Sequence, residues 1–271
     1  MDFTGKSAIV TGAGQGIGRA LANALASEGA RILVSDLSGE RAERVAKEVG
    51  GVAHVGDVRK PDDIAAMTAA AEAAFGGVDI LVSNAGFALG EPDGATSQPD
   101  EHWQNSWDVH VMAHLRASRL LLPQMIARGS GVLVNVASAA GLLSQIGDAA
   151  YSSTKHAAVS LAQSLAIEHG HQGIHVSVVC PLYVATPLLG YTEGFEDDVP
   201  SGVITSKDVA ISVLDGLRAG RFLICPHPEA TEHFQRRAAD TDRWIKGMQR
   251  LRAKVSAQSE RTDPASIHRL I

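Results

Sequence analysis

From Lys6 to about Phe222, short β-rich runs alternate with longer helix-length patterns, and this regularity restricts the chain to one class of architecture. The expected strands are Ser7–Val10, Arg31–Ser35, Val52–Val55, Ile80–Ser83, Val132–Val136 and His175–Val179. Several are continuous apolar runs, as parallel strands covered on both faces require. Helix-length segments lie between them, at Gly16–Glu28, Gly39–Val49, Pro61–Phe75, roughly Asp100–Arg128, Tyr151–His169 and Ser206–Leu217. Pro61 leads an Ala-rich stretch, a good first-turn position for proline. The alternation implies an α/β fold, a doubly wound parallel sheet with helices on both faces. No internal repeat, linker or low-complexity tract divides the 271 residues. A single domain is therefore expected over residues 1–271, with a core at about 6–226, a last strand at Arg221–Cys225 and a C-terminal helical extension at about 227–260.

Composition excludes several functions. Lys and Arg total 24 against 30 Asp and Glu, a formal net charge of −6, which argues against a nucleic-acid partner because phosphate neutralisation needs clustered cations. Basic residues do gather from Arg236 and Arg237 to Lys254, but Asp240 and Asp242 interrupt them, as on a solvated helix face. Cys180 and Cys225 form no CxxC or Cys/His pattern, so neither a disulfide framework nor a metal site is expected. The first residues carry no cationic stretch followed by an apolar signal core, and no later apolar run approaches membrane length. The expected setting is cytoplasmic, with no membrane partner.

The first strand runs into Thr11-Gly-Ala-Gly-Gln-Gly-Ile-Gly18 and then a helix. Such a turn lets backbone approach a pyrophosphate closely, while the helix N-terminus offers unpaired N–H groups and a positive dipole. The spacing is not strict G-x-G-x-x-G, since Ile17 takes the sixth position; the glycines fall at Gly12, Gly16 and Gly18. An acid, Asp36, ends the second strand, as a dinucleotide site requires. Further on, Tyr151 and Lys155 lie four residues apart, so their side chains share a helix face. A free phenol has a pKa near 10 and is a poor base, but a neighbouring ammonium favours the phenolate. Ser138 ends the fifth strand, at the sheet edge where open α/β folds bind ligands.

Taken in order, the glycine-rich turn, Asp57-Val58, Asn84-Ala-Gly86, Ser138 and Tyr151-x-x-x-Lys155 resemble the short-chain dehydrogenase/reductase family over about Lys6 to Thr186. A turn-only role for the glycines accounts for one of these motifs and not for five. The resemblance implies a Rossmann fold and an NAD-dependent oxidoreductase. It places Gly12, Gln15, Gly16, Ile17 and Gly18 around the cofactor, Asp36 at the adenosine ribose, Asp57 at the adenine amine and Val58 beside the ring. Asn84 and Gly86 would border the ribose, and Pro181, Val184 and Thr186 the nicotinamide. A carboxylate at Asp36 would repel the 2′-phosphate of NADP, Leu37 stands where NADP-preferring relatives often have arginine, and Arg19 is expected to be solvated, so NAD is the expected cofactor. Ser138 would hydrogen-bond the substrate oxygen, Tyr151 would exchange a proton with it, and Lys155 would hold the nicotinamide ribose and lower the Tyr151 pKa.

Two positions depart from the family. His110 stands where relatives usually have an asparagine that supports a helical kink and a proton-relay water. Histidine titrates near neutral pH, so it offers either a variant relay or a buried hydrogen-bonded side chain. Leu182 replaces the glycine usual after Pro181, which alters local backbone shape and narrows the substrate pocket. The segment from Pro187 to Asp198 is the expected lid, its Leu188, Leu189, Tyr191 and Phe195 suited to an apolar substrate. Its acids, Glu193, Glu196, Asp197 and Asp198, disfavour a strongly anionic one. Leu142, Leu143 and Phe87 are expected in loops at the same edge. The expected substrate is a neutral, apolar or aromatic secondary alcohol or its ketone. Ala157, Ala158, Ala162 and Ala166 would allow close approach in a homo-oligomer, a dimer or tetramer built on the Tyr151 helix. A non-catalytic NAD-binding sensor would predict a lost tyrosine or lysine, and an extended-branch epimerase a different glycine spacing.

Overall fold

Each central strand shows why its apolar residues are continuous. On β1 (Ser7–Thr11), Ala8 and Val10 belong to one core layer and Ile9 to the other, so alternate side chains are buried on opposite faces. The same holds for β2 (Arg31–Asp36), where Ile32 and Val34 face one layer and Leu33 the other. The computed structural model describes residues 1–91, 93–192 and 199–258. The lid residues 193–198 and the end of the predicted extension, 259–260, lie outside the described residues.

One seven-stranded sheet, all parallel, runs in the order β3-β2-β1-β4-β5-β6-β9. The other strands are β3 (Val52–Val55), β4 (Ile80–Ser83), β5 (Gly131–Val136), β6 (Ile174–Val179) and β9 (Leu223–Ile224). Strand order reverses at β1, which pairs with β2 on one side and β4 on the other. The chain therefore leaves the carboxyl ends of β1 and β4 in opposite directions and opens a crevice there. Helices α1 (Gly16–Ser27), α2 (Gly39–Val49) and α8 (Ser206–Arg218) supply Leu21, Val45 and Val213 to one layer. Helices α3 (Pro61–Phe75), α5 (Ala113–Ala127) and α7 (Ala149–His169) supply Met67, Leu121 and Val159 to the other. Pro61 takes the first turn of α3, and Thr205 with Asp208 forms a reciprocal capping box on α8.

The structure differs from the sequence expectation in four places. The helix expected at Asp100–Arg128 is α4 (Asp100–Trp107), a π-helical turn at Asp108–Met112, and α5. A short α6 (Ala140–Leu143) follows β5 and carries Leu142 and Leu143 into the core, so these two are helical and buried rather than loop residues at the sheet edge. Strands β7 (Tyr183–Ala185) and β8 (Val203–Thr205) pair as a separate parallel ribbon beyond β6. The extension contains two helices, α9 (Pro228–Ala239) and α10 (Thr241–Gln258), rather than one. Phe234 and Trp244 from them pack on the α3/α5/α7 layer. Among the described residues no helix is long and apolar enough to cross a membrane.

The two-layer packing predicts a contrast. Leu81 is fully buried at the centre of β4, and Leu81→Ala is expected to cost about 2–5 kcal/mol. Val55, 55% exposed on the edge strand, should tolerate alanine within about 0.5 kcal/mol. Urea unfolding of both variants against the parent measures the difference.

Candidate active site

The crevice is closed at its base by side chain to backbone bonds between β1 and β4. Thr11 Oγ1 accepts from Asn84 N–H at 3.0 Å and Ala85 N–H at 3.1 Å. The Asn84 amide donates to Thr11 O at 2.8 Å and Gly12 O at 3.2 Å. The glycines here are required by space. A Cβ on Gly12 would stand 2.8 Å from Ala85 Cα, and one on Gly18 2.3 Å from Gly12 O. The turn thus lies flat against β4, and Gly12 and Gln15–Gly18 line a cavity of about 590 Å³.

All the predicted cofactor residues line that single cavity, as do Ser138, Tyr151 and Lys155. At one end the Asp36 carboxylate, 5% exposed, accepts from Gly14 N–H at 2.9 Å and Ser38 N–H at 3.0 Å. Arg41 forms an ion pair with it, Nη2 to Oδ1 3.1 Å. Asp57 is clamped by Arg59 through both carboxylate oxygens, with Nη2 at 2.6 Å, and this pairing holds its carboxyl below the usual range. Neither arginine was anticipated from the sequence, though each lies within five residues of its acid. Arg19 pairs with Glu48 at 2.9 Å. At the other end Thr186 comes close to the turn, its Cγ2 being 3.3 Å from where a Gly16 Cβ would lie.

Ser138 follows β5, and Tyr151 and Lys155 stand on α7. Asp148 caps that helix, accepting from Tyr151 N–H at 2.9 Å while its other oxygen accepts from Gly90 N–H at 3.1 Å. Glu91 accepts from Ala149 N–H at 2.5 Å. Two buried acids therefore tie the Gly90–Glu91 segment to the first turn of α7, a support not read from the sequence. Burial pushes the Tyr151 phenol up to about 12, against the opposing pull of its hydrogen bond with Ser138. Burial likewise brings Lys155 down to about 8. Lys155 Nζ donates to Val136 O at 3.1 Å and lies 5.5 Å from the Tyr151 ring centroid. In this arrangement its ammonium is held by backbone, and desolvation outweighs any lowering of the phenol.

His110 does not line the cavity. It sits in the π-helical turn, fully buried, where Nε2 accepts from Phe87 N–H at 3.2 Å and Nδ1 meets Thr154 Oγ1 at 2.9 Å. The backbone donor requires an unprotonated Nε2, so the proton resides on Nδ1. Burial and the nearby Lys155 hold its pKa well below the ordinary value. Its ring stands edge-on to Tyr151, centroids 5.4 Å apart. Of the predicted substrate-side residues, Phe87, Leu182, Leu188 and Leu189 line the cavity; Tyr183, Gln145 and His102 join them.

A family description, short chain dehydrogenase, matches residues 6–196. This chain belongs to that family. It is 37% identical over 217 residues to the oxidoreductase UcpA of Escherichia coli K12, covering 77% of this chain and 81% of the relative. It is 34% identical over 199 residues to a cyclohexanol dehydrogenase of Acinetobacter sp. SE19, covering 72% and 79%. Among solved structures, a short-chain dehydrogenase/reductase from Burkholderia phymatum in complex with NAD superposes with a TM-score of 0.80 at 28% identity, over 89% of this chain and 96% of that one.

With both nitrogens of His110 already engaged, its charge should not enter the pH dependence of turnover. The pH–rate profile of His110→Asn is expected to keep the inflections of the parent enzyme between about pH 5.5 and 8, the range in which a free imidazole titrates. A lost inflection would assign His110 to the proton path.

Proposed function

We propose that this chain is an NAD-dependent oxidoreductase that interconverts a neutral, apolar or aromatic secondary alcohol and its ketone, with Tyr151 as acid/base. The observation that carries the proposal is the continuity of one cavity from Asp36, through the glycine turn, to Ser138, Tyr151 and Lys155. The cofactor fits the residues present. Gly12 and Gly18 leave no room for a Cβ, so the turn presents bare backbone to a pyrophosphate, and Asp36 is fixed as an acceptor for ribose hydroxyls. Gln15, Gly16, Ile17 and Gly18 would hold the phosphates, Asp57 and Val58 the adenine, Asn84 and Gly86 the ribose, and Pro181, Val184 and Thr186 the nicotinamide. When bound, the nicotinamide supplies the redox chemistry.

The chain's own residues handle the proton and the substrate oxygen. Ser138 donates to that oxygen, and Tyr151 gives the oxygen a proton in reduction or takes one in oxidation. At neutral pH the phenol, pushed up to about 12, carries its proton and is ready as the acid. Alcohol oxidation needs the phenolate, so its rate should rise with pH, whereas ketone reduction should fall at the alkaline end. Lys155 lines the same site, where burial penalises its ammonium and brings its pKa down to about 8, so that it remains mostly protonated at neutral pH. Phe87, Leu182, Leu188 and Leu189 offer an apolar wall, which supports an uncharged ring or chain beside the reacting carbon. The likeness to a cyclohexanol dehydrogenase agrees with that wall. We further propose a cytoplasmic homo-oligomer, a dimer or tetramer joined through α7, on which Ile167 is 77% exposed.

Two variants test the proposal, with cyclohexanol and NAD as the first pair to assay. Tyr151→Phe should lower turnover by a factor on the order of 10²–10⁴ and retain NAD binding. Retained activity would remove Tyr151 from the chemistry. Asp36→Ala frees Arg41 and removes the acceptor of two backbone N–H groups. Its kcat/KM with NAD should fall by roughly 10–100-fold, the worth of a charge-assisted hydrogen bond, while NADP gains on NAD. A parent enzyme that already prefers NADP would refute the cofactor assignment.

A further inference from the structure

The C-terminal extension begins with a side chain that reaches back to the wall of the site. His227 precedes α9 but leaves that helix uncapped by its ring. It is 3% exposed, and both nitrogens are bonded to the segment after β6. Leu182 N–H donates to Nδ1 at 3.1 Å, and Nε2 lies 3.0 Å from Tyr183 O. The first bond requires a bare Nδ1 and the second a protonated Nε2, so the two backbone partners together select one neutral tautomer. Desolvation favours the same neutral form and holds the imidazole below its ordinary pKa.

What His227 grips is a wall of the cavity. Leu182 and Tyr183 both line it, and the Tyr183 hydroxyl hydrogen-bonds the side chain of Gln145, which lines it too. Leu182 stands where relatives usually have glycine, so this wall carries a bulky side chain whose placement depends on how its backbone is held. The anchor is itself immobilised. Ala230, one turn into α9, is fully buried in the α3/α5/α7 layer, Phe234 and Trp244 pack against that layer, and Arg237 bonds Leu142 O and His156. The family match ends at residue 196, so this anchor lies outside the region that carries the shared chemistry.

We infer that His227 is a positioning residue for the substrate: from outside the shared core, it fixes the Leu182–Tyr183 wall and thereby the fit of the alcohol. This rests on the proposed function for its kinetic consequence, but the hold on the backbone can be measured independently. The two bonds are separable by substitution. Asparagine in place of His227 can accept from Leu182 N–H through Oδ1 without reaching Tyr183 O. Glutamine can donate to Tyr183 O without accepting from Leu182.

The test compares His227→Asn, His227→Gln and His227→Ala with the parent, by hydrogen exchange at the Leu182 amide and by kinetics with cyclohexanol and NAD. Loss of one hydrogen bond corresponds to about a tenfold change. His227→Ala and His227→Gln should therefore exchange at Leu182 about tenfold faster, and KM for cyclohexanol should rise about tenfold in His227→Ala with kcat changed much less. His227→Asn should restore Leu182 protection and part of the KM. Should the alanine variant fail to fold, the Asn and Gln pair still separates the bonds. Equal Leu182 exchange in Asn and Gln variants, or restored protection with no recovery of KM, would overturn the assignment. A parent enzyme that turns over no alcohol at all would instead defeat the proposed function, and the exchange result would still decide whether His227 holds the wall.

Discussion

Everything in the site depends on how β1 and β4 are joined at the point where the strand order reverses. Two neighbouring parallel strands send the chain in opposite directions there, and their last backbone groups have no continuing ladder to pair with. Thr11 and Asn84 resolve this locally. One hydroxyl accepts from two N–H groups, and one amide donates to two carbonyls, so the exits from both strands are fixed by side chains rather than by sheet. Through this tie the Asn84 amide holds the glycine turn in place. The absence of side chains at Gly12 and Gly18 then becomes necessary, since the tie brings the turn to within van der Waals contact of β4.

The same economy governs the charged groups. Asp36 and Asp57 both lie in the cavity, and a carboxylate in such a place is costly unless its lone pairs are satisfied. Backbone N–H groups and Arg41 satisfy Asp36, and Arg59 satisfies Asp57. Both carboxylates are thereby fixed as acceptors before any ligand arrives, and the Arg59 pairing holds the Asp57 carboxyl below its usual range. Around Tyr151 and Lys155 the balance differs. Lys155 is held by the Val136 carbonyl and not by an acid, so burial alone sets its direction, and the phenol beside it stays protonated.

Much of this was legible in the sequence because the controlling interactions are local or periodic. Unbroken apolar runs such as Ile32–Val34 and Leu81–Val82 identify strands covered on both faces, and the glycine turn, Ser138 and the Tyr151/Lys155 pair fall at strand ends or on one helix face. The parts missed were set by tertiary contact. The π-helical turn at Asp108–Met112 inserts an extra residue so that His110 can meet both Phe87 N–H and Thr154, a partnership between segments more than twenty residues apart. Leu142 and Leu143 read as loop residues because a four-residue helix has no periodicity to detect. The β7/β8 ribbon joins segments about twenty residues apart, with too few residues in either strand to give a pattern.

Two buried histidines outside the Ser138, Tyr151 and Lys155 set share one arrangement of hydrogen bonds. His110 and His227 each accept from a backbone N–H that borders the cavity, Phe87 in one case and Leu182 in the other. Each is buried and each is confined to the neutral state, so neither gains from the titration that makes histidine attractive for chemistry. What imidazole offers at both places is a flat, rigid acceptor and donor on opposite sides of one ring, able to join a cavity wall to the element behind it. Phe87 and Leu182 line the same cavity as Ser138 and Tyr151, and the two histidines brace its wall from behind. Two segments of the cavity wall are therefore held by imidazoles that lie outside the Ser138, Tyr151 and Lys155 set.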